Sequence, residues 1–525
     1  MAAGMIETTS SLLRAAAQRW SDKTALVSLR DPAISFASLD AEADRFAKAL
    51  VGDGIAFAER VGIWAPNMWE WVAAAVGAQR VGAAIVPLNS RYRAAEVADI
   101  VRRAKVKRLV AVGDFLGAYY PAMLRGEDMP ELKQVIVLRG TPSKLAGRDV
   151  AWDSFLARGA QVSDSLVRQR EARVTGETVA DILFTSGTTG RPKGAVFTHR
   201  ATVRSSYGTQ AFASVTDADC LCPMGPFAHF AGYKAGWLNG MLTGATVCWS
   251  EAADSESMLN VISRLRVTVM PAPPIIWQDI LDNPHRGDWD TSSLRFAATG
   301  STMIPPQTVR RLVTEMRIRQ VGTGYGLTES GGMTNFTRPD DTVEQVAYSA
   351  GRAAPDSEVR IADTERRWLE ANHAGEILVR TQRLMREYLD DSGATRDALD
   401  TDGWLHTGDV GSIDEQGYLK ITDRLKDMYI TNGFNVYPAE LERLLGTMPG
   451  VSACAVIGVP EPRKGEVGSA FLIRSPGSTV SESEVYAWCK QNIASYKIPK
   501  TITFVDEFPR NSLGKILKRE LKRQV

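Results

Sequence analysis

Hydrophobic positions between about residues 40 and 319 follow two alternating spacings. Apolar side chains fall on one helical face over residues 40–50 and 69–81. Compact apolar runs, which are typical of buried strands, occur over residues 61–65, 83–88, 180–184, 267–270, 294–299 and 320–322. Strands that alternate with helices indicate βαβ units and parallel sheets covered on both faces. The pattern therefore predicts an α/β fold.

The spacing changes after about residue 353. Short apolar runs at 359–361, 375–379 and 418–421 predict strands joined by turns, as in a small β-rich subdomain, and a charged bridge follows at 424–427. Beyond the bridge, the pattern predicts helices over 438–448, 483–493 and 515–522, and strands over 453–459, 470–473 and 501–505. These elements form an α+β module of about 100 residues, which is enough for a separate domain.

Composition narrows the class of protein. A chain of 525 residues exceeds the size at which one hydrophobic core keeps growing, so two or more domains are expected. Its 62 basic and 61 acidic side chains argue against a dedicated nucleic-acid binder. The five cysteines show no Cys-x-x-Cys spacing, and Cys220 and Cys222, which no His pair follows at zinc spacing, are expected to be buried thiols. Because neither a signal sequence nor an integral membrane segment is evident, we expect a soluble, cytoplasmic protein.

The densest group of chemically active residues directly follows the strand predicted over 180–184. Its glycines let the backbone turn tightly and direct N–H groups at an anion, while its hydroxyls and one ammonium group add donors and positive charge. The group consists of Thr185, Ser186, Gly187, Thr188, Thr189, Gly190 and Lys193. A flexible surface loop seldom needs this composition, and the Walker A spacing occurs nowhere in the chain. The stretch therefore predicts a triphosphate-binding loop.

A second glycine-rich stretch covers residues 322–329. Its Gly-x-Gly-x-Gly spacing does not fit the Gly-x-Gly-x-x-Gly pattern of dinucleotide-binding folds. We predict instead a loop at the carboxyl end of a strand, where open α/β sheets bind ligands, that presents Tyr325, Thr328 and Glu329. Glu329 is a candidate ligand for Mg²⁺. Taken alone, an exposed turn explains the pattern equally well.

Four other residues carry candidate chemistry. Asp409, followed fifteen residues later by Arg424, is a candidate acceptor for ribose hydroxyls. Lys515 ends the loop 509–515 before a basic helix, where a structural lysine is the simpler explanation. His229 lies in the apolar run 226–232, and most such histidines are core residues.

Together and in this order, the stretches around residues 185–194, 322–329, 404–409 and 509–515 resemble one family, the adenylate-forming acyl-CoA synthetases, which are related to luciferases and to peptide-synthetase adenylation domains. The resemblance covers nearly the whole chain. It implies a large N-terminal domain of paired α/β sheets plus a β-subdomain, and a small, mobile α+β C-terminal lid. We place these at residues 1–423 and 428–525, with a hinge at 424–427.

The resemblance also implies roles for single residues. Residues 185–193 would cover the ATP β- and γ-phosphates, Tyr325 would lie beside adenine, Thr328 would contact phosphate, and Glu329 would bind Mg²⁺. Gly300 and Ser301 would line the adenine, and Asp409 and Arg424 would bind the ribose. Lys426 would lie at the hinge, and Lys515 would contact the carboxylate and the α-phosphate. Gly433 would lie beside the pantetheine tunnel, and His229 would be a gate between the acyl pocket and the thiol channel.

The implied activity is ATP-dependent acyl-CoA synthesis with Mg²⁺ and coenzyme A. The candidate acyl pocket is largely apolar, with walls at Phe230, Tyr233, Trp237, Trp277, Ala298, Gly324, Gly331 and Met333. Stretches 87–92, 232–236 and 433–440 resemble a bacterial branch of steroid catabolism, whose enzymes activate propanoate side chains of a partly degraded ring system. Fatty acids of medium or long chain and arylpropanoates stay open as substrates. A homodimeric state stays open as well. A non-catalytic nucleotide-binding protein and a simple ATPase are the rival classes.

Overall fold

The structure is a computed structural model that describes residues 6–185, 192–252, 254–300, 304–425, 427–431, 434–461, 465–493, 497–510 and 516–525. The chain forms two compact units. The first comprises Met1–Glu358 and Val379–Leu405, and the second comprises Val359–Leu378 and His406–Val525. The domain limits inferred from the sequence remain a prediction.

Helices and strands alternate along most of the described chain. In chain order, the α-helices are α1 Thr9–Arg19, α2 Phe36–Gly52, α3 Trp69–Arg80, α4 Ala94–Arg103, α5 Tyr120–Met123, α6 Trp152–Leu156, α7 Asp164–Glu171, α8 His199–Ala213, α9 Phe230–Gly232, α10 Leu238–Thr243, α11 Ser255–Leu265, α12 Pro274–Asp282, α13 Pro306–Thr314, α14 Val343–Tyr348, α15 Ser392–Ala398, α16 Pro438–Gly446, α17 Glu482–Asn492 and α18 Lys518–Lys522. The strands are β1 Thr24–Ser28, β2 Ile34–Ser35, β3 Arg60–Trp64, β4 Ala84–Leu88, β5 Arg108–Val112, β6 Asp114–Phe115, β7 Ala118–Tyr119, β8 Gln134–Leu138, β9 Asp149–Ala151, β10 Val179–Thr185, β11 Lys193–Thr198, β12 Cys220–Leu221, β13 Thr246–Trp249, β14 Val269–Pro271, β15 Phe296–Thr299, β16 Gln320–Leu327, β17 Gly332–Phe336, β18 Arg352–Ala353, β19 Ser357–Ala362, β20 Gly375–Thr381, β21 Glu387–Tyr388, β22 Leu405–Ile413, β23 Leu419–Arg424, β24 Tyr429–Thr431, β25 Phe434–Val436, β26 Val451–Glu461, β27 Gly465–Arg474 and β28 Thr501–Phe504. One turn of π-helix, Tyr233–Trp237, joins α9 to α10. None of the described helices is long and apolar enough to cross a lipid bilayer.

Two large sheets form the first unit. One has the strand order β18-β17-β16-β15-β14-β12-β13-β1-β2, and the other has the order β21-β11-β10-β4-β3-β5-β8-β9. Neighbouring strands are parallel at the centre of each sheet, whereas β11, β17 and β18 run antiparallel to their neighbours. The predicted α/β fold class is confirmed.

Helix α2 illustrates how the sequence sets these elements. Its start is fixed by the Ser35 hydroxyl, which accepts a hydrogen bond from the Ser38 N–H at 3.1 Å. Leu39, Ala43 and Phe46 follow at spacings of three to four residues and are fully buried. This helical period places one apolar stripe against the core, as the hydrophobic pattern over residues 40–50 predicts.

Strand β16 corrects one sequence-based prediction. Residues 322–329 were expected to form a loop, but β16 continues to Leu327. Its second half pairs with β17 in antiparallel fashion, with Leu327 opposite Gly332. A side chain at Gly326 would lie 2.0 Å from the Gly332 carbonyl oxygen, so this glycine serves a close approach of two backbones rather than a loop.

The second unit combines sheets with a few helices. Strands β19, β20, β22 and β23 form one sheet, which lies mostly in this unit, and β25, β24, β27, β26 and β28 form another. The second of these sheets shares a core with helices α16 and α17, and this core includes Tyr429, Val436, Leu441, Leu445, Leu472 and Val485. These elements agree with the α+β pattern predicted from the sequence.

Candidate functional site

The two ends of the predicted phosphate loop lie next to each other in one sheet. Thr185 ends β10 and pairs with Lys193, which begins β11. The Thr185 hydroxyl Oγ1 lies 3.4 Å from the Lys193 carbonyl oxygen and 3.4 Å from Oε1 of Glu329. Ser186, Gly187, Thr188, Thr189 and Gly190 lie outside the described residues. Strand pairing therefore fixes where this loop leaves and re-enters the sheet.

Arg103 holds the returning end of the loop and was not identified from the sequence. Its Nη1 donates a 2.7 Å hydrogen bond to the Pro192 carbonyl oxygen, and its guanidinium lies 5.2 Å from the centroid of the Phe184 ring. Both contacts are to residues that flank the loop. The only signal in the sequence was a basic residue in the last turn of an amphipathic helix, which usually marks nothing more than a favourable helix end.

The Glu329 carboxylate is held by the chain around β21. The Tyr388 hydroxyl donates a hydrogen bond to Oε1 of Glu329 at 2.9 Å, and the Met385 N–H donates to the Glu329 carbonyl oxygen at 2.8 Å. Lys193 places its ammonium 5.0 Å from the centroid of the Tyr388 ring. Burial and the neighbouring Glu329 charge raise the pKa of Tyr388, so that its phenol keeps the proton it donates. Tyr388 is a second residue that sequence reasoning missed.

Glu329 fits the magnesium site that the resemblance implies. Mg²⁺ usually takes one or two protein carboxylates and completes its shell with substrate phosphate oxygens and water. Glu329 is a half-buried carboxylate that contacts Thr185, the residue from which the predicted phosphate loop departs. One hard oxygen donor beside a phosphate loop is the kind of ligand this ion accepts together with a triphosphate.

The predicted adenine-side residues lie at one edge of a sheet. Strands β15 and β16 are parallel and pair Thr299 with Thr323, so Gly300 and Tyr325 follow at the same carboxyl edge. Tyr325 is buried within β16, and Thr328 is half-buried in the turn after it. Ser301 lies outside the described residues. The carboxyl edge of a parallel sheet is where α/β proteins bind ligands.

The predicted acyl pocket is only partly consistent with the structure. Tyr233 and Trp277 have no exposed surface. The Tyr233 phenol accepts a hydrogen bond from Gln79 at 2.9 Å, and the Trp277 indole donates to the Ala298 carbonyl oxygen at 3.1 Å. These two side chains are therefore core residues in this structure, because their polar atoms are already paired inside the protein.

His229 lies at the start of the short helix α9. Its Nδ1 accepts a 3.4 Å hydrogen bond from the Ala231 N–H. Burial lowers the pKa of His229, so the imidazole is neutral near pH 7. A neutral ring in a half-buried position is compatible with the predicted gate, which needs a flat side chain rather than a charge.

A buried ion pair links the π-helical turn to β10. The Lys234 ammonium lies 3.2 Å from Oδ1 of Asp181, and neither side chain has any exposed surface. Asp181 Oδ2 also accepts hydrogen bonds from the Thr202 hydroxyl at 2.5 Å and from the Tyr233 hydroxyl at 3.3 Å. Lys234 lies over the Phe197 ring, 3.5 Å from its centroid. Burial lowers the pKa of Lys234, and the Asp181 charge opposes this shift.

The remaining predicted site residues belong to the second unit. Asp409 is buried in β22 and pairs across the sheet with Arg424 in β23, so the two residues proposed for ribose are neighbours along the backbone. The Asp409 N–H donates to the Thr407 hydroxyl at 3.1 Å. Lys426, Gly433 and Lys515 lie outside the described residues.

A sheet of this type with a Ser/Thr/Gly-rich loop after β10 marks the chain as a nucleotide-binding α/β protein, and comparison with known proteins narrows the class. The profile of the AMP-binding enzymes matches residues 13–389, and the profile of their C-terminal domain matches residues 440–515. The chain belongs to the AMP-binding enzymes. It is an ATP-dependent acid–thiol ligase of the acyl-CoA synthetase type.

Individual relatives match over nearly the full length. The chain is 46% identical over 476 residues, 91% of each chain, to the 3-[(3aS,4S,7aS)-7a-methyl-1,5-dioxo-octahydro-1H-inden-4-yl]propanoyl:CoA ligase of Mycobacterium tuberculosis. It is 42% identical over 521 residues, 98% of each chain, to the ligase of the same name from Rhodococcus jostii. Among solved structures, the anthranilate CoA ligase AuaEII in complex with anthranoyl-AMP superimposes with a TM-score of 0.84 at 25% identity, covering 98% of this chain and 97% of that one.

Proposed function

We propose that the protein joins a propanoate carried on a reduced, steroid-derived bicyclic ring system to coenzyme A. ATP would be converted to AMP and diphosphate through an acyl-adenylate. The observation that carries the choice of acid is the identity of 46% and 42%, over at least nine-tenths of the chain, to two ligases named for a propanoate on a methyl-dioxo-octahydroindene. An acid of this shape is bulky and largely apolar, with a carboxylate at the end of a short arm.

The first half-reaction has to make a carboxylate electrophilic. The negative charge of a carboxylate repels nucleophiles. A carboxylate oxygen therefore attacks the ATP α-phosphorus, diphosphate departs, and the mixed anhydride that results carries AMP as the group that the CoA thiol later displaces. Negative charge accumulates in this transition state, so positive groups and N–H donors held in place beforehand stabilise it. In our proposal, Lys515 contacts the carboxylate and α-phosphate, and the loop at residues 185–193 binds the outgoing phosphates.

Glu329 would hold Mg²⁺, which neutralises charge on the triphosphate when bound. Tyr325 and Gly300 would bind adenine at the carboxyl edge of β15 and β16, together with Ser301. Thr328, in the turn after β16, would contact a phosphate oxygen. Asp409 and Arg424 would bind the ribose hydroxyls from neighbouring strands.

The second half-reaction needs the CoA thiol beside the acyl-adenylate, where the first half-reaction needed Lys515. We assign this exchange to a turn of the C-terminal domain about Lys426, within the hinge 424–427. The turn would withdraw Lys515 and present the loop at Gly433, past which the pantetheine arm enters. The His229 ring would gate the thiol channel. Transitions of this kind limit turnover in many enzymes that close over their substrates.

A ligation screen tests the proposal. The purified protein is supplied with ATP, Mg²⁺ and CoA, and with one acid at a time: a bicyclic alicyclic propanoate, octanoate, 3-phenylpropanoate or acetate. The bicyclic acid is expected to give AMP and diphosphate with the highest kcat/KM, because each buried CH₂ contributes roughly 0.8 kcal/mol, or about fourfold.

The products separate the alternatives. ADP and phosphate formed without acid would identify an ATPase, and nucleotide binding without turnover would identify a non-catalytic binder. A preference for octanoate or 3-phenylpropanoate would contradict only the choice of acid. A preference for acetate would contradict the apolar pocket as well.

A further inference from the structure

The loop that carries Glu329 is held by one short segment, residues 383–388. The Met385 N–H donates to the Glu329 carbonyl oxygen at 2.8 Å, and the Tyr388 hydroxyl donates to Oε1 at 2.9 Å. Gly331 has a φ of +65°, and a Cβ there would lie 2.2 Å from the Arg383 carbonyl oxygen. The backbone and the carboxylate of Glu329 are therefore both located by the same stretch of chain.

Tyr388 is itself fixed by contacts that do not involve Glu329. It pairs with Ala195 across β11, and its N–H donates a 2.9 Å hydrogen bond to the Thr395 hydroxyl in α15. Thr395 in turn donates to the Asp391 carbonyl oxygen at 2.8 Å. The phenol is thus directed at the carboxylate by contacts of its own backbone.

The two parts of the Tyr388 side chain contact two different groups. Its hydroxyl contacts Oε1 of Glu329, whereas its ring lies under the Lys193 ammonium at 5.0 Å, within range of a cation–π interaction. The second carboxylate oxygen, Oε2, has no hydrogen-bond partner within the part of the chain that the structure describes. Oε1 is therefore engaged by two neutral donors, the hydroxyls of Tyr388 and Thr185, whereas Oε2 is engaged by none of the described residues.

We infer that Tyr388 is a positioning residue that orients the Glu329 carboxylate toward the Mg²⁺ of bound Mg·ATP. The inference rests on the proposed function for the identity of that ligand. Carboxylates that bind metals are generally oriented by a further hydrogen bond, and loss of such a partner typically weakens metal affinity or activity by about 10–100-fold. Without the phenol, the carboxylate has to be ordered when the cation binds.

The variant Tyr388→Phe removes the hydroxyl but keeps the ring under Lys193. ATP binding to the full-length protein is measured by calorimetry, once with EDTA and then at increasing Mg²⁺. We expect the Mg²⁺ concentration that gives half of the gain in ATP affinity to rise about 10–100-fold. Binding of ATP with EDTA should change less than about twofold. In the background of Glu329→Gln, the same substitution should add little further.

A matched control separates positioning from stability. The Tyr120 hydroxyl donates to the Ser90 carbonyl oxygen at 2.7 Å in the same unit, so Tyr120→Phe also removes one phenol hydrogen bond, at a position far from Glu329 in sequence. It should leave the Mg²⁺ dependence unchanged. The inference is overturned if Tyr388→Phe moves the Mg²⁺ midpoint no more than Tyr120→Phe does, or weakens ATP binding equally with and without Mg²⁺.

Two additions keep the test decisive. If Tyr388→Phe does not fold, Thr395→Val loosens the backbone tether of Tyr388 and should shift the Mg²⁺ midpoint in the same direction by a smaller factor. No shift with this variant would then overturn the inference. Calorimetry needs no turnover, so a failure of the wild-type protein to ligate any acid contradicts the proposed function without deciding the role of Tyr388.

Discussion

Lys234→Met should destabilise the protein strongly, because it leaves a charge in the core without its partner. Lys234 and Asp181 have no exposed side-chain surface, and their charged atoms lie 3.2 Å apart. Removal of one partner from a buried ion pair costs about 3–5 kcal/mol, since the remaining ion loses its compensation. The hydrogen bonds from Thr202 and Tyr233 to Asp181 persist in this variant and keep the carboxylate from being wholly unsatisfied.

The double variant Lys234→Met with Asp181→Asn tests the origin of this cost. An asparagine keeps an oxygen that can accept the Thr202 hydroxyl proton but carries no charge. The core then loses an ion pair as a whole, which is often close to neutral when the replacements fit. One poorly paired amide group costs roughly 1–3 kcal/mol. We therefore expect the double variant to be more stable than Lys234→Met alone.

Urea unfolding followed by tryptophan fluorescence measures both effects. A two-unit chain need not unfold in one step, so the free energy is taken from the transition that Lys234→Met shifts. Lys144→Met is the control, because Lys144 pairs with Asp114 on the surface of the same unit and exposed pairs contribute about 0–1 kcal/mol. The reasoning is refuted if Lys144→Met costs as much as Lys234→Met, or if the double variant is less stable than the single one.

Three further predictions concern pH and the two half-reactions. Burial lowers the pKa of His199 from 6.5 to about 3, so between these values the unfolded chain takes up a proton that the folded protein does not. The free energy of unfolding should therefore decrease as the pH is lowered through this range, by up to about 1.4 kcal/mol per pH unit. His199→Gln should flatten that slope in urea titrations. Lys515→Ala should slow acid-dependent diphosphate exchange by about 10²–10³ while CoA still reacts with supplied acyl-adenylate; equal loss of both would make Lys515 structural. Gly433→Leu should abolish CoA-dependent turnover while acid-dependent diphosphate exchange survives. If Gly433→Ala loses as much CoA-dependent turnover as Gly433→Leu, the glycine serves a strained turn and not a tunnel.

The predictable part of the fold is the part encoded locally. The helical spacing over 40–50 became the second half of α2, and the apolar run over 83–88 became β4, because burial on one face or on both faces leaves its own period in the sequence. The end of β16 was not predictable in this way. Its last residues are strand because β17 lies opposite them, and the local glycine pattern favours a turn.

The residues of the candidate site also divide into those with a local signal in the sequence and those without one. Thr185, Lys193 and Glu329 stand in short stretches whose composition is unusual, so the sequence alone singles them out. Tyr388 and Arg103 stand in stretches of ordinary composition, so the sequence alone does not single them out. Tyr388 contacts Glu329 from 59 residues away, and Arg103 contacts Pro192 from 89 residues away. A tyrosine or an arginine in an ordinary context carries no mark of the distant group it will contact.

The buried ion pair between Asp181 and Lys234 does have a signal in the sequence. Asp181 interrupts an otherwise apolar strand, and Lys234 follows an apolar run, so each charge occupies a position where an uncompensated ion would be costly. Two such charges of opposite sign in one α/β unit are more economically explained as partners than as separate exceptions. The pairing also has a geometric consequence, because Asp181 and Thr185 point to the same face of β10, four residues apart. The hydrophobic effect has no direction, whereas the ion pair and its two flanking hydrogen bonds specify where Tyr233 and Lys234 lie along this strand. The strand that starts the phosphate loop and the turn that follows His229 are therefore held in one register by polar contacts in the core.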